Sequence, residues 1–257
     1  MKDQYVGDVG DYGKLGVLRA LTAGGGPSLG VVWYLVPNDG TTDGRFIDYL
    51  RPSSALRACD PPLFDALATL VGSGTRKVAE LARIGVLPNG TVYYDDLLEL
   101  GDVPDRAAQR SRWLARALEV TRDCGLVFVD PDNGLETMST SRTAKRGPKY
   151  VFYDELRAFS TRGQGLVIYH HLNRAKGHGT HERQVQQRLA DLGRELGISG
   201  TIYGLRFRRG SSRVFFVTEP RRGAKQLRAR IHAFRASPWA DHFEVVEHTP
   251  TATSSDR

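Results

Sequence analysis

Only two cysteines occur in 257 residues, Cys59 and Cys124. Their spacing fits no metal site, and two thiols make no disulfide framework, so a reducing compartment is expected. Long apolar runs are also missing: none approaches the roughly 20 residues that a membrane helix requires. The start, Met1-Lys2-Asp3-Gln4, leads straight into polar, glycine-rich sequence without the apolar stretch of a secretory signal. The expectation is a cytoplasmic chain without membrane association. Internal repeats and obvious linkers are lacking too. Residues 1–248 are therefore expected to form one α/β domain, and 249–257 a disordered tail.

Positive charge is plentiful, with a formal net charge of +7. Arginines cluster at Arg106, Arg110, Arg112 and Arg116, again at Arg206, Arg208, Arg209 and Arg213, and at Arg221 and Arg222. Such a surface suits a polyanion such as nucleic acid. An arginine-rich composition without a binding role gives the same pattern.

Three continuous apolar runs read as strands buried on both faces: Leu29 to Val36, Gly125 to Val129 and Gly165 to Tyr169. Thr91 to Tyr94 is a shorter candidate. Helices are expected over Val17 to Leu21, within 60–84, over Asp105 to Arg122, over Tyr150 to Phe159, over 180–196 and over Gln226 to Phe234. In the Asp105 helix the apolar stripe is Trp113, Leu114, Ala117, Leu118 and Val120, with Asp105 as N-cap. Ile202 to Phe207 and Arg213 to Thr218 flank Arg208-Arg209-Gly210-Ser211-Ser212 and read as a terminal antiparallel hairpin. Strands alternating with helices predict a mostly parallel sheet with helices on both faces.

Ligands of open parallel sheets bind beyond the carboxyl ends of the strands. Polar clusters stand at those ends: Asn38-Asp39 after the first run, Asp130-Pro131-Asp132-Asn133-Gly134 after the second, and His170-His171-Leu172-Asn173-Arg174 after the third. Pro131 biases Asp130 away from the helical region, and Asn133-Gly134 is a turn dipeptide. Two carboxylates and an amide at a strand tip exceed what a turn requires. They suit either an array that accepts a substrate N–H or a divalent-cation site. Strand alternation presents one of His170 and His171 to the crevice. Gly7-Asp8-Val9-Gly10-Asp11-Tyr12-Gly13-Lys14 has the wrong order for a phosphate-binding Walker loop.

Taken together, these segments resemble Rossmann-like S-adenosylmethionine-dependent methyltransferases, most visibly the bacterial 23S ribosomal RNA adenine-N6 methyltransferase family. That family opens with a Gly-Asn-x-x-Asp-x-x-Lys stretch, which Gly7 to Lys14 matches in spacing with Asp8 for Asn. Its Asp-Pro-Pro-Tyr catalytic motif is matched by Asp130-Pro131-Asp132-Asn133, with Asn133 in place of the aromatic. Tyr150, Ile168-Tyr169-His170 and the Gly210-Ser211 hairpin follow in the family's order, whereas Val36-Pro37-Asn38-Asp39-Gly40 stands where the family has a glycine-rich loop.

The resemblance implies a Rossmann-like methyltransferase fold and S-adenosylmethionine as cofactor. It places Asp130, Pro131, Asp132, Asn133 and His170 at the transfer site. Asp8, Asp11, Tyr12, Lys14, Asn38, Asp39 and Asp95 would hold the cofactor. His171, Asn173, Arg174, Arg208 and Arg209 would hold a nucleic acid or nucleotide-like substrate. Two other readings stay open. One is a Mg- or Mn-dependent nuclease or phosphohydrolase using Asp130, Asp132 and His170 or His171 with Asp8 or Asp11; the other is a nucleic-acid-binding module without catalysis.

Overall fold

A computed structural model describes residues 1–173 and 177–250. Arg174 and the tail from 251 onward lie outside the described residues.

The elements alternate along the chain. Helix α1 (Val9–Thr22) precedes strand β1 (Leu29–Val32); α2 (Pro61–Gly72) and α3 (Val78–Arg83) lead to β2 (Val92–Tyr94). Helix α4 (Arg106–Val120) leads to β3 (Leu126–Val129), followed by the short β4 (Gly134–Leu135) and β5 (Tyr150–Val151). Then come α5 (Tyr153–Ser160), β6 (Gly165–His171), α6 (His181–Leu196), β7 (Ile202–Phe207), β8 (Arg213–Thr218), α7 (Ala224–Arg235) and β9 (Phe243–His248).

Seven strands form one mixed sheet in the order β2-β1-β3-β6-β8-β7-β9. β2, β1, β3 and β6 are mutually parallel, β8 runs antiparallel to both β6 and β7, and β9 runs antiparallel to β7. The fold is thus α/β and Rossmann-like, a mixed sheet with a parallel core of β2, β1, β3 and β6 and an antiparallel hairpin towards its end. The hairpin is not the last element: β9 continues the sheet outside β7.

Strand alternation feeds two cores. In β3, Leu126 and Phe128 join one apolar cluster while Val127 and Val129 join the other. β8 divides likewise, Phe215 and Val217 to one side and Val214 and Phe216 to the other. Residues of α1, α2, α3 and α7 complete the first cluster, and those of α4, α5 and α6 the second, so helices cover both faces. Each fully buried apolar side chain of this size contributes about 1.5–3 kcal/mol.

Several local expectations change. The first apolar run is a strand only to Val32, because Tyr34 adopts φ +34° and turns the chain out of the extended region. The Gly7–Lys14 stretch is not a loop ahead of a helix. Asp8 caps α1, its Oδ1 accepting the Asp11 N–H at 2.7 Å, and the helix starts at Val9. Helix α5 starts at Tyr153, because Tyr150 and Val151 pair with β4 instead. The stripe of α4 is also revised: Arg110 is buried among its apolar neighbours while Val120 is 40% exposed.

Candidate functional site

The carboxyl ends of β3 and β6 lie side by side, and β8 begins at the same end because it runs the opposite way. The N-terminal turns of α1 cross over this edge. Between them lies a cavity of about 380 Å³, within the usual range of roughly 300–1,000 Å³ for small-ligand clefts.

Five carboxylates line it, Asp8, Asp11, Asp43, Asp130 and Asp132, together with the side-chain cations Lys14 and Arg213. Lys14 is buried between two of the acids, with Nζ 2.7 Å from Asp130 Oδ2 and 3.2 Å from Asp11 Oδ1. Its ammonium also lies over the rings of Trp33 and Tyr169. Asp132 meets the Met1 amino group at 2.8 Å and Lys2 Nζ at 3.3 Å, in both cases as an ion pair without a well-aligned hydrogen bond.

The electrostatics follow from burial. Burial pushes the Asp11 and Asp130 carboxyls above their ordinary range, and the adjacent Lys14 opposes that rise. For Lys14 burial favours the neutral amine, but Asp130 and Asp11 outweigh it and keep the ammonium protonated. Asp132 is held low: burial works against its charge, yet the Met1 amino group and Lys2 prevail. The lining thus holds more carboxyl groups than cations, even with the Met1 amino group counted among the latter.

Local backbone chemistry sets this geometry. The Asp130 N–H still pairs with Val32 O at 3.1 Å, so Asp130 sits at the true end of β3. Gly134 has φ +105°, and a Cβ there would lie 2.3 Å from His170 Nδ1. The glycine lets the chain pass close enough for the Leu135 N–H to donate to that same Nδ1 at 3.0 Å. Gly134 thus starts β4, and Asn133 stands in the bend just before it.

Asp8, Asp11, Lys14, Asp130, Pro131, Asp132, Asn133 and His171 all line the cavity. Others do not. Tyr12 is packed in the core against Phe64 and Trp239, its hydroxyl donating to Leu56 O at 2.8 Å. His170 belongs to β6 rather than to a loop after it. It is 7% exposed and lines the neighbouring open groove, and burial holds its imidazole neutral, with a pKa lowered to about 3. Its Nδ1 accepts from the Leu135 N–H and so ties β6 to β4. Asn38 accepts from the Gln4 backbone, and Asp39 pairs with Lys2 at 2.6 Å, both outside the cavity lining. Asp95 is exposed at the end of β2 and lines neither cavity. Arg208 donates to Asp241 O and Arg209 to His242 Nδ1, so these two arginines of the hairpin loop are tied to the segment before β9.

A second, open groove of about 1,500 Å³ runs between the β4–β5 segment and α6. It shares Asn133 and His171 with the first cavity and also includes Asn173, Tyr150 and Tyr153. Several of its arginines already face acids: Arg142 with Asp154 at 2.7 Å, and Arg194 with Asp191 at 2.9 Å. Arg110, expected at the surface, is buried with Glu155 at 2.6 Å.

Sequence reasoning missed Arg213 and Ser211 in the cavity. Their signal was the spacing of Gly10, Gly13 and Gly16, a helix face without Cβ atoms against which other side chains can close. A Cβ at Gly10 would stand 0.9 Å from Arg213 Nη1.

Among the described residues no three of His, Cys, Asp or Glu converge in the manner of a cation site. Among the described residues no helix is long and apolar enough to cross a membrane.

No family model and no curated protein matches the chain. One similar solved structure is that of a Legionella pneumophila str. Philadelphia 1 protein assigned to the family model DUF519. It is 11% identical, over 96% of this chain and 98% of that chain, with a TM-score of 0.45.

Proposed function

We propose that this chain is an S-adenosylmethionine-dependent methyltransferase acting on nucleic acid or a nucleotide-like substrate. The observation that carries the reading is the acid-rich cavity at the ends of β3 and β6, into which Asp130, Asp132, Asn133 and Lys14 all project. Its donor set fits the cofactor. A sulfonium and an ammonium group are both cationic and suit the excess of carboxylates, and Tyr5, Phe46 and Tyr169 add aromatic surface. When bound, the cofactor supplies an activated methyl group.

The chain's own residues then have separate tasks. Asp130, fixed by Lys14, is the acceptor for an N–H of the group to be methylated. Asn133 and His171 stand where the cavity meets the open groove, so an acceptor reaches Asp130 from the groove side. Alignment and electrostatics supply most of the catalysis in such a transfer. Cytoplasmic location accords with the sparse cysteines.

Isothermal titration calorimetry with S-adenosylmethionine tests the reading. Saturable binding by the wild type, lost or strongly weakened in Asp130→Ala, is expected. No binding, or an Asp130→Ala variant equal to wild type both in binding and in methyl transfer to RNA, sinks it. Degradation of RNA abolished by EDTA would instead favour the nuclease reading.

A further inference from the structure

Helix α7 has two faces of opposite character. Leu227, Ile231 and Phe234 recur at helical spacing and are buried in the first core. Lys225, Arg228, His232 and Arg235 recur at the same spacing on the exposed side. Arg221 and Arg222, also exposed, extend the row before the helix. From Pro220 to Ala240 the chain has six arginines and lysines and no acid. The formal net charge of the whole chain is +7, so this stretch holds nearly all of the excess. An arginine-rich composition alone would mix cations with acids, as α6 does with Glu182, Asp191 and Glu195 among its arginines.

The basic face is fixed on the body and only partly compensated. The Arg221 N–H donates to Gly163 O at 2.8 Å, and the Arg230 guanidinium to Gly24 O at 2.7 Å. Arg228 meets Glu219 at 2.8 Å, and Arg235 meets Glu247. Among the described residues, no carboxylate pairs with Arg221, Arg222 or Lys225. This surface is also remote from the cavity. β8 ends at Thr218, opposite Leu166 near the start of β6, whereas the cavity lies at the other end of both strands, where Arg213 faces His171. The length of β8 puts about 17 Å between those ends. Neither the cavity nor the open groove is lined by a residue of α7.

We infer that the outer face of α7, with Arg221 and Arg222, is a docking surface for the sugar-phosphate backbone of a double-stranded nucleic acid. Lys225 to Arg235 spans about 15 Å of helix axis, a length over which a duplex presents roughly nine phosphate charges. Single strands are held largely by stacking of bases on aromatic rings, and Phe234 faces the core instead. An anionic membrane surface asks for large apolar side chains beside the cations. Here the exposed positions between them are Gln226, Ala229 and Ala233, and the two alanines let a backbone approach the helix closely. Contacts of this kind give affinity without sequence choice. The surface is separate from the transfer site, so its partner does not depend on what the cavity binds.

Fluorescence anisotropy of the full chain with a labelled RNA duplex of about 20 base pairs tests this. At about 0.1 M salt the wild type is expected to bind with a dissociation constant of roughly 1–100 μM. Arg221→Gln, Arg222→Gln and Lys225→Gln combined should weaken binding at least about tenfold and flatten the log–log salt dependence by about 2–3. Arg51→Gln, Arg83→Gln and Arg116→Gln combined remove the same charge from exposed arginines that already face acids. That control should change affinity less than about threefold. Circular dichroism melts report whether each variant is folded. If the first triple variant melts early, Lys225→Glu alone probes the same face and should weaken binding at least about threefold. Equal weakening by the two triple variants, an unchanged salt dependence, or single-stranded RNA of the same sequence bound as tightly as the duplex would overturn the assignment. So would binding to phosphatidylserine vesicles without binding to the duplex. Calorimetry with S-adenosylmethionine is a separate readout: its failure leaves the α7 surface standing, and loss of the α7 surface leaves the cofactor reading standing.

Discussion

Lys14→Met keeps the length and apolar stem of the side chain while removing the ammonium between Asp11 and Asp130. In the native chain that ammonium is 2.7 Å from one carboxylate and 3.2 Å from the other, and all three side chains are at most 5% exposed. Removing one partner of a buried pair leaves an uncompensated charge and costs about 3–5 kcal/mol. For a chain of this size that corresponds to a fall in melting temperature of roughly 6–20 °C at neutral pH. The loss should depend on pH. Burial already raises both carboxyls, and without Lys14 they rise further. A carboxyl whose folded pKa exceeds its unfolded value favours the fold when protonated, so the variant recovers stability below about pH 4. Its deficit grows as pH climbs through the raised folded values, by up to about 1.4 kcal/mol per unit for each proton released. Urea unfolding of both proteins at pH 5 and pH 8 measures this. A deficit under about 1 kcal/mol, or one identical at the two pH values, would refute the reasoning.

Other outcomes follow from separate parts of the structure. His170 is neutral in the fold with a pKa lowered to about 3, so acid costs stability as the unfolded imidazole takes up a proton below about pH 6.5. That cost is about 1.4 kcal/mol per pH unit down towards pH 3, and a His170→Asn variant should lose this part of the urea-denaturation pH profile. Gly16→Ala drives a Cβ to within 2.2 Å of Trp239 Cζ2, and thermal melts should show destabilisation of roughly 1–3 kcal/mol, reduced by about 1 kcal/mol of helix propensity. Gly72→Ala meets nothing within 4 Å and should be neutral or slightly stabilising. Glu155→Gln leaves Arg110 without the carboxylate it meets at 2.6 Å, and should cost about 3–5 kcal/mol in chemical unfolding.

The parts of the fold that were readable from sequence are those with strong periodicity. The apolar runs of β1, β3 and β6 have few alternatives to double-sided burial, and Asp105 announces the start of α4 through its cap, bonded to Ala108 N at 2.9 Å. The strand tips were legible for the same reason, which is why Asp130, Asp132 and Asn133 were placed at the site. What escaped depends on long-range partners. Strands β4 and β5 are two residues each and exist only through pairing with one another. β9 (FEVVEH) mixes apolar and charged residues without a clean alternation, and its register along β7 supplies what its pattern does not. The hydrogen bond from the Leu135 N–H to His170 Nδ1 joins β4 to β6 and leaves no trace in the local sequence pattern. Arg208 and Arg209 looked equivalent to Arg213, yet a hairpin loop sends them to the segment before β9 while β8 aims Arg213 at the cavity.

The central claim is that the acid-rich cavity beside Asp130 is the cofactor site. A crystal structure of the chain grown with S-adenosylhomocysteine tests it most directly. The account predicts the ligand enclosed in the cavity beside Lys14 and Asp130, with its sulfur towards the Asn133 and His171 side. Ligand density elsewhere on the sheet, or an empty cavity at saturating concentration, would contradict it.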